Sequence, residues 1–236
     1  MNTHLLRGRT EREVSWFQRR SFLQAAAAWS ALGATSCALA QPRSQIVELM
    51  GDVLLNHRRL EPGSIIRSGD VIRTGPGSTL IFVIGDCAFH LRQNSQLTVE
   101  YGPASSQVLS ALRLLTGAIV SVWGKGTRRQ LITPSATIGI RGTGTYTEIP
   151  SDQADRTYFC NCYGIVDLRS GTERRVSESE YHQAFWAESS PQDGKHLTAA
   201  KLLNHSDEEV EQLARLANQP TAWQITGRKG TKSDYQ

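Results

Sequence analysis

The sequence predicts a mainly β protein: a compact β-solenoid-like or sandwich body of many short strands, with a short C-terminal α-helix packed on it. Three observations lead there. From Gln41 onward, short apolar runs are broken by Gly, Pro, Asn and Asp about every 8–12 residues, the spacing of an all-β chain. The breaks are turn chemistry, as in Gly51-Asp52, Pro62-Gly63, Gly69-Asp70, Gly75-Pro76-Gly77 and Gly85-Asp86. Only near the end does the apolar period change from that of a strand to that of a helix. Hydrophobic residues at 39% and charged residues at 20% are ordinary globular usage and exclude wholesale disorder. No run of roughly eighteen apolar residues is present, which excludes a conventional transmembrane helix from the body of the chain.

Residues 1–40 read as an export leader and are set aside from fold reasoning. A polar, arginine-rich opening is followed by the alanine-rich run Ser21–Ala34 and a small-residue site at Ala38 and Ala40, which predicts cleavage after Ala40. Arg19 and Arg20 followed by Phe22 and Leu23 resemble the twin-arginine signal, implying passage through the twin-arginine export machinery to the periplasm. Membrane contact would follow only if the leader stayed uncleaved or Cys37 were lipidated. The formal net charge of +4 is mostly an attribute of this leader, which carries five arginines against two glutamates. The remaining residues are close to neutral, so nucleic acid is not an expected partner.

In the mature chain, strands are expected at Gln45–Met50, Val53–Asn56, Ser64–Ile66, Val71–Thr74, Thr79–Ile84 and Ala88–Leu91. More follow through Ile119–Val122 and Ala136–Ile140 to Thr157–Tyr163 and Ile165–Leu168. The organisation read from this pattern is a β domain over 45–150, a β extension over 151–190, a helical C-terminal segment over 191–225 and a flexible tail over 226–236. The helix start is explicit. Ser206-Asp207-Glu208-Glu209 is a capping box, after which Val210, Leu213, Ala214, Leu216 and Ala217 form one apolar stripe. A helix of about twelve residues is marginal alone and must pack that stripe on the β body.

Gly69-Asp70-Val71-Ile72-Arg73-Thr74-Gly75-Pro76-Gly77-Ser78, then Asn94-Ser95-Gln96-Leu97 and Leu112–Ile119, lead to Thr133-Pro134 and Arg141-Gly142-Thr143. In that order these motifs resemble the FecR domain of bacterial envelope proteins across Gly51–Ile149. The resemblance implies an exported β-rich domain of a binding or sensing type. The best-known members are anti-sigma regulators with a cytoplasmic helical segment and a membrane helix, and this chain departs from that plan. Gly69, Asp70, Thr74, Gly75, Arg141, Gly142 and Thr143 are expected to be fold-defining turns, since short polar side chains bond the backbone at corners.

The sharpest chemical feature is Cys160-Asn161-Cys162. Residues i and i+2 of a strand share a face, so two thiols stand side by side. They could bind Zn or Cu with His182 and one of His196 or His205. With Cys87, the thiol count after leader removal is odd, and a disulfide or inert buried thiols stand as the other readings. Serine-hydrolase, zinc-protease and P-loop patterns are absent, so the expectation is a non-enzyme. Arg128-Arg129 and Arg174-Arg175 read as solvated loop charges, and Trp123, Trp186 and Trp223 as core. Two functions compete with a binding or sensing module. One is a metal-binding or thiol-redox protein using Cys160, Cys162 and His182; the other is an envelope signalling regulator acting on a membrane partner.

Overall fold

The computed structural model describes residues 44–103 and 108–229. The leader motif, the cleavage site after Ala40, Cys37 and the last seven residues lie outside the described residues. Among those described, the chain first forms β1 (Ser44–Met50), β2 (Val53–Leu55), β3 (Arg58–Arg59), β4 (Val71–Thr74) and β5 (Thr79–Ile84). Next come β6 (Cys87–Leu91), β7 (Gln96–Tyr101), β8 (Leu109–Val122), β9 (Arg129–Ile132) and β10 (Thr137–Ile140). The last strands are β11 (Gly144–Ile149), β12 (Arg156–Ser170), β13 (Glu173–Ser179), β14 (Gln183–Gln192) and β15 (Lys195–Ala200). Helices α1 (Asp207–Leu216) and α2 (Ala222–Thr226) follow.

The strands form two sheets that share β8 and β12. One is wholly antiparallel, in the order β1-β5-β6-β8-β11-β12-β14-β15. The other runs β3-β2-β4-β7-β8-β9-β10-β12-β13, with β8 and β9 its parallel pair. Each shared strand changes sheet at a glycine. In β8, Thr116 pairs with β7, and Gly117 (φ +79°) already pairs with β11. In β12, Tyr163 pairs with β11, and Gly164 (φ +96°) pairs with β13. A Cβ at Gly117 would stand 2.6 Å from the Ser95 Cα, and one at Gly164 2.8 Å from the Thr143 Cβ. These are corners that only glycine can turn, folding the chain into a sandwich.

Period-two alternation then fills two apolar layers. Between the sheets lie Phe82, Phe89, Leu112, Trp123, Leu131, Ile138, Phe159 and Leu168. On the opposite face of the eight-stranded sheet, Val120, Tyr146, Tyr158, Cys160 and Cys162 pack against Val210, Leu213 and Ala214 of α1 and Trp223 of α2.

Four expectations are corrected. Ser64–Ile66 is not a strand; its backbone is held from outside, the Ile66 amide by the Ser44 hydroxyl (2.8 Å) and the Ile66 carbonyl by the Tyr101 hydroxyl (3.2 Å). The segment 191–225 is not helical from its start, because β14 runs to Gln192 and Lys195–Ala200 adds the edge strand β15. The tail does not fray at 226: Gly227 caps α2 with a left-handed backbone, and the Lys229 ammonium lies 3.0 Å from Asp207. Arg129 is not a solvated loop charge. It is buried, donating to Asp86 (2.6 Å) and to the Gly124 carbonyl (2.7 Å).

Candidate functional site

Strand β12 carries the Cys-x-Cys pair through the middle of the eight-stranded sheet, between β11 and β14. Cys160 and Cys162 both face the helices, while Asn161 points the other way. There the Asn161 amide donates to the Gly164 carbonyl (3.0 Å) and the Ser177 hydroxyl (3.0 Å), and its oxygen accepts from Thr143 (3.1 Å). This holds the pleat, and with it the direction of both thiols. At the entry to β14 the His182 amide donates to the Cys162 carbonyl at 2.9 Å. His182 takes a left-handed backbone (φ +32°), uncommon for a residue with a side chain and frequent at functional sites. The turn delivers its ring beside the thiols. His205 arrives from the loop between β15 and α1, immediately before the helix cap Ser206.

One ligand-type atom from each of Cys160, Cys162, His182 and His205 lies within 4.8 Å of the other three. The Cys160 Sγ is 3.5 Å from His182 Nδ1, and the Cys162 Sγ is 3.5 Å from His205 Nε2. The two ring nitrogens, His182 Nδ1 and His205 Nε2, are 3.2 Å apart.

The outer nitrogen of each ring is also engaged. His182 Nε2 meets the Asp207 carboxylate at 2.8 Å, and the Tyr181 hydroxyl donates to the other Asp207 oxygen at 2.9 Å. His205 Nδ1 meets the Leu203 carbonyl at 2.7 Å. In the neutral form of each ring, a proton held against that outer partner leaves a lone pair turned inward. Aromatic faces complete the walls: Tyr146 stacks on His205 (4.6 Å, 19°) and Trp223 on His182 (5.5 Å, 25°). The Trp223 indole is tied to α1 by its bond to Glu211 at 2.7 Å.

Electrostatics follow from burial. Loss of water pushes the Cys162 thiol up to about 12, reinforced by Cys160 and opposed by the two histidines. For His182, burial works against the charged ring, but Cys162 and the Asp207 carboxylate outweigh it and the pKa rises. Glu209 is held down to about 2; burial opposes this, and His90 and a two-point contact from Arg92 (2.6 and 2.8 Å) overcome it.

Of the sequence-predicted ligand residues, the structure brings together Cys160, Cys162 and His182, and of the two further histidines it selects His205. His196 lies elsewhere, its Nδ1 on the Glu188 carbonyl at 2.9 Å. The disulfide from Cys87 to Cys160 or Cys162 is not formed, nor is one within Cys-x-Cys; all three thiols are free. Cys87 packs in the layer between the sheets, on the other side of the eight-stranded sheet from the pair. Sequence reading missed Asp207, which it counted only in the capping box, and Tyr181 and Trp223 as walls. The available signal was His205 standing directly before the cap.

The signature residues lie in corners. Asp70 accepts from the Arg67 amide (2.6 Å) and from Asn56 (2.6 Å), and the Thr74 hydroxyl donates to the Arg92 carbonyl (2.6 Å). Gly69 donates to the Val99 carbonyl (2.8 Å) and Gly75 to the Asp52 carbonyl (2.9 Å). Gly142 takes φ +71°, and the Thr143 hydroxyl donates to the Tyr163 carbonyl inside β12. Arg141 is exposed and lines an open groove of about 450 Å³ on the polar face of the nine-stranded sheet, with Arg128, Arg169, Glu100 and Asp167. No helix among the described residues is long and apolar enough to cross a membrane.

This strand-and-corner arrangement is that of a β-sandwich module, and comparison with known families gives the particular one. Residues 70–159 match the family model described as FecR protein, and they form a FecR domain. The match begins later than Gly51 and runs past Ile149 into β12; Cys160, Cys162, His182 and His205 all follow its last residue. Two crystal structures of a candidate anti-sigma factor from Parabacteroides distasonis are similar, with a TM-score of 0.45 each and 10% and 11% identity. The similarity covers 55% of this chain and 58% of that one, so this chain spans little more than half the length of its structural neighbour. No curated protein matches.

Proposed function

We propose that this protein is a non-enzymatic binding or sensing module of the bacterial envelope, exported through the twin-arginine machinery to the periplasm. There it regulates signalling by acting on an envelope or membrane partner. The observation that carries the reading is the FecR domain over 70–159. The use of its signature polar atoms supports it: Asp70, Thr74 and Thr143 each bond the backbone of neighbouring corners. The thiols favour the same side. Burial drives Cys87 and Cys162 up to about 12, the reverse of the activated thiolate that redox catalysis needs. The exposed charged groove around Arg141 is the surface this reading assigns to a polar partner.

In-cell crosslinking after fractionation tests the proposal. The protein is expected in the periplasmic fraction and crosslinked to one specific envelope protein, with Arg141→Glu weakening the crosslink. Replacing Arg19 and Arg20 by lysine is expected to leave it in the cytoplasm. Recovery of the wild-type chain from the cytoplasm, or crosslinks to no specific protein, would refute the reading.

A further inference from the structure

We propose that Cys160, Cys162, His182 and His205 are the four ligands of one Zn²⁺-class ion, a closed site that clasps the C-terminal segment onto the β sandwich.

The distances carry this. A tetrahedral ion with sulfur at about 2.3 Å and nitrogen at about 2.0–2.1 Å sets its two nitrogens about 3.3 Å apart and each nitrogen about 3.5 Å from a sulfur. The protein holds its nitrogens 3.2 Å apart and two of the four nitrogen–sulfur edges at 3.5 Å, with all four ligand atoms within 4.8 Å of one another. The chemistry agrees with the spacing. In the neutral rings two inward lone pairs 3.2 Å apart repel each other and a cation between them relieves the repulsion, while Asp207 and the Leu203 carbonyl hold the outer nitrogens. A histidine whose outer nitrogen is held by a carboxylate or carbonyl is the standard supporting arrangement of a metal ligand. On binding, each thiol gives its proton to solvent and its sulfur lone pair to the ion; two thiolates then neutralise the divalent charge. A neutral cluster suits a site where both cysteines are fully buried and the His182 side chain is 4% exposed. With four protein ligands, no coordination position is left for a substrate, which makes the site structural.

The ligands come from separate parts of the chain. Cys160 and Cys162 sit on β12, His182 at the entry to β14, and His205 on the loop that leads into α1. Asp207, behind His182, is the first residue of α1 and also takes the Lys229 ammonium beyond α2 at 3.0 Å. Loading the ion therefore couples the sheet to 201–229 and fastens both helices. Because metal affinity adds to the stability of the docked form alone, the ion acts as a metal-dependent latch on that segment.

Titration of the reduced, purified full chain with Co²⁺ and then Zn²⁺ tests the proposal and does not depend on export or on any partner. One Co²⁺ per chain is expected to bind with proton release and the charge-transfer absorption of a tetrahedral thiolate site, and one Zn²⁺ to displace it with no further proton release. Cys162→Ser and His205→Gln are expected to weaken Zn²⁺ binding by about a hundredfold or more, Asp207→Asn by about 10–100-fold, and Cys87→Ser not at all. His205 lies at the half-exposed edge of the site, so His205→Gln keeps the test decisive if the buried serine variant fails to fold. Chelation is expected to raise the rate of proteolysis within 201–229 by about tenfold or more, reversed by Zn²⁺. A folded chain that takes up no stoichiometric ion after reduction overturns the proposal. So does uptake indifferent to both Cys162→Ser and His205→Gln.

Discussion

The two apolar layers flanking the eight-stranded sheet are built by the same alternation and differ in nearly everything else. Between the sheets, Phe82, Phe89, Trp123 and Phe159 interleave with leucines and isoleucines, closed on the far side by another sheet. On the outer face the cover is a ten-residue helix and a five-residue one, too short to stand alone. That layer is accordingly rich in side chains with polar ends. The Tyr158 hydroxyl donates to the Lys201 carbonyl and accepts from the Leu203 amide, both at 2.9 Å, and Glu148 accepts from Asn204 at 2.8 Å. Arg92 holds both the Asn204 carbonyl and Glu209. A sheet covered by a sheet can rely on area; a sheet covered by two short helices needs pins. Three buried cysteines share the contrast. Cys87, in the inner layer, bonds Asp86 and the Gly124 amide, while Cys160 and Cys162, in the outer one, each have a histidine nitrogen at 3.5 Å.

Breaking the inner layer should unfold the whole molecule, and breaking the outer should release only the C-terminal segment. Trp123→Ala removes a fully buried ring and is expected to cost about 3–5 kcal/mol, read as one cooperative shift in denaturant melts. If that variant merely freed the helices, the distinction would fall. Gly164→Ala crowds Thr143 and forces a side chain to φ +96°; a loss of about 1–3 kcal/mol is expected by thermal unfolding, since both layers hang on that corner. Arg92→Ala should cost about 1–3 kcal/mol, but locally. Protease sensitivity should rise within 201–229 while the melt of the sandwich changes little.

Acid sharpens the same comparison. Glu209 is held at about 2 against an ordinary 4.5, so its contribution is complete above about 4.5 and is lost as pH falls toward 2. Hydrogen exchange of α1 should accelerate across that window ahead of β6 and β8, and Glu209→Gln should flatten the dependence. The smallest effect expected is Ser206→Ala, about 1 kcal/mol on helix docking, from loss of the cap to the Glu209 amide.

Much of this was legible in the chain. The turn dipeptides and short apolar runs set a mainly β body, solenoid-like or sandwich, and the capping box placed the start of α1. Cys160 and Cys162 could be put on one face without knowing what that face met. Harder was Lys195–Ala200, whose Lys-His-Leu-Thr-Ala-Ala has helix-forming residues and becomes a strand only because β14 offers an unpaired edge. Arg129 looked like its neighbour Arg128, and only the closure of β9 beside Asp86 and Gly124 buries it.

The sequence by itself determined periodicity, corners, caps and the shared face of two thiols, because each depends on residues within a few positions of one another. Tertiary structure alone decided that His205 and not His196 joins Cys160, Cys162 and His182, and that Asp207 stands behind them. That choice depends on where a loop more than forty residues downstream of Cys160 returns to the sheet. The return is directed by Arg92, just past the end of β6, and by Glu148 and Tyr158 on β11 and β12, whose side chains converge only after the sheet has formed.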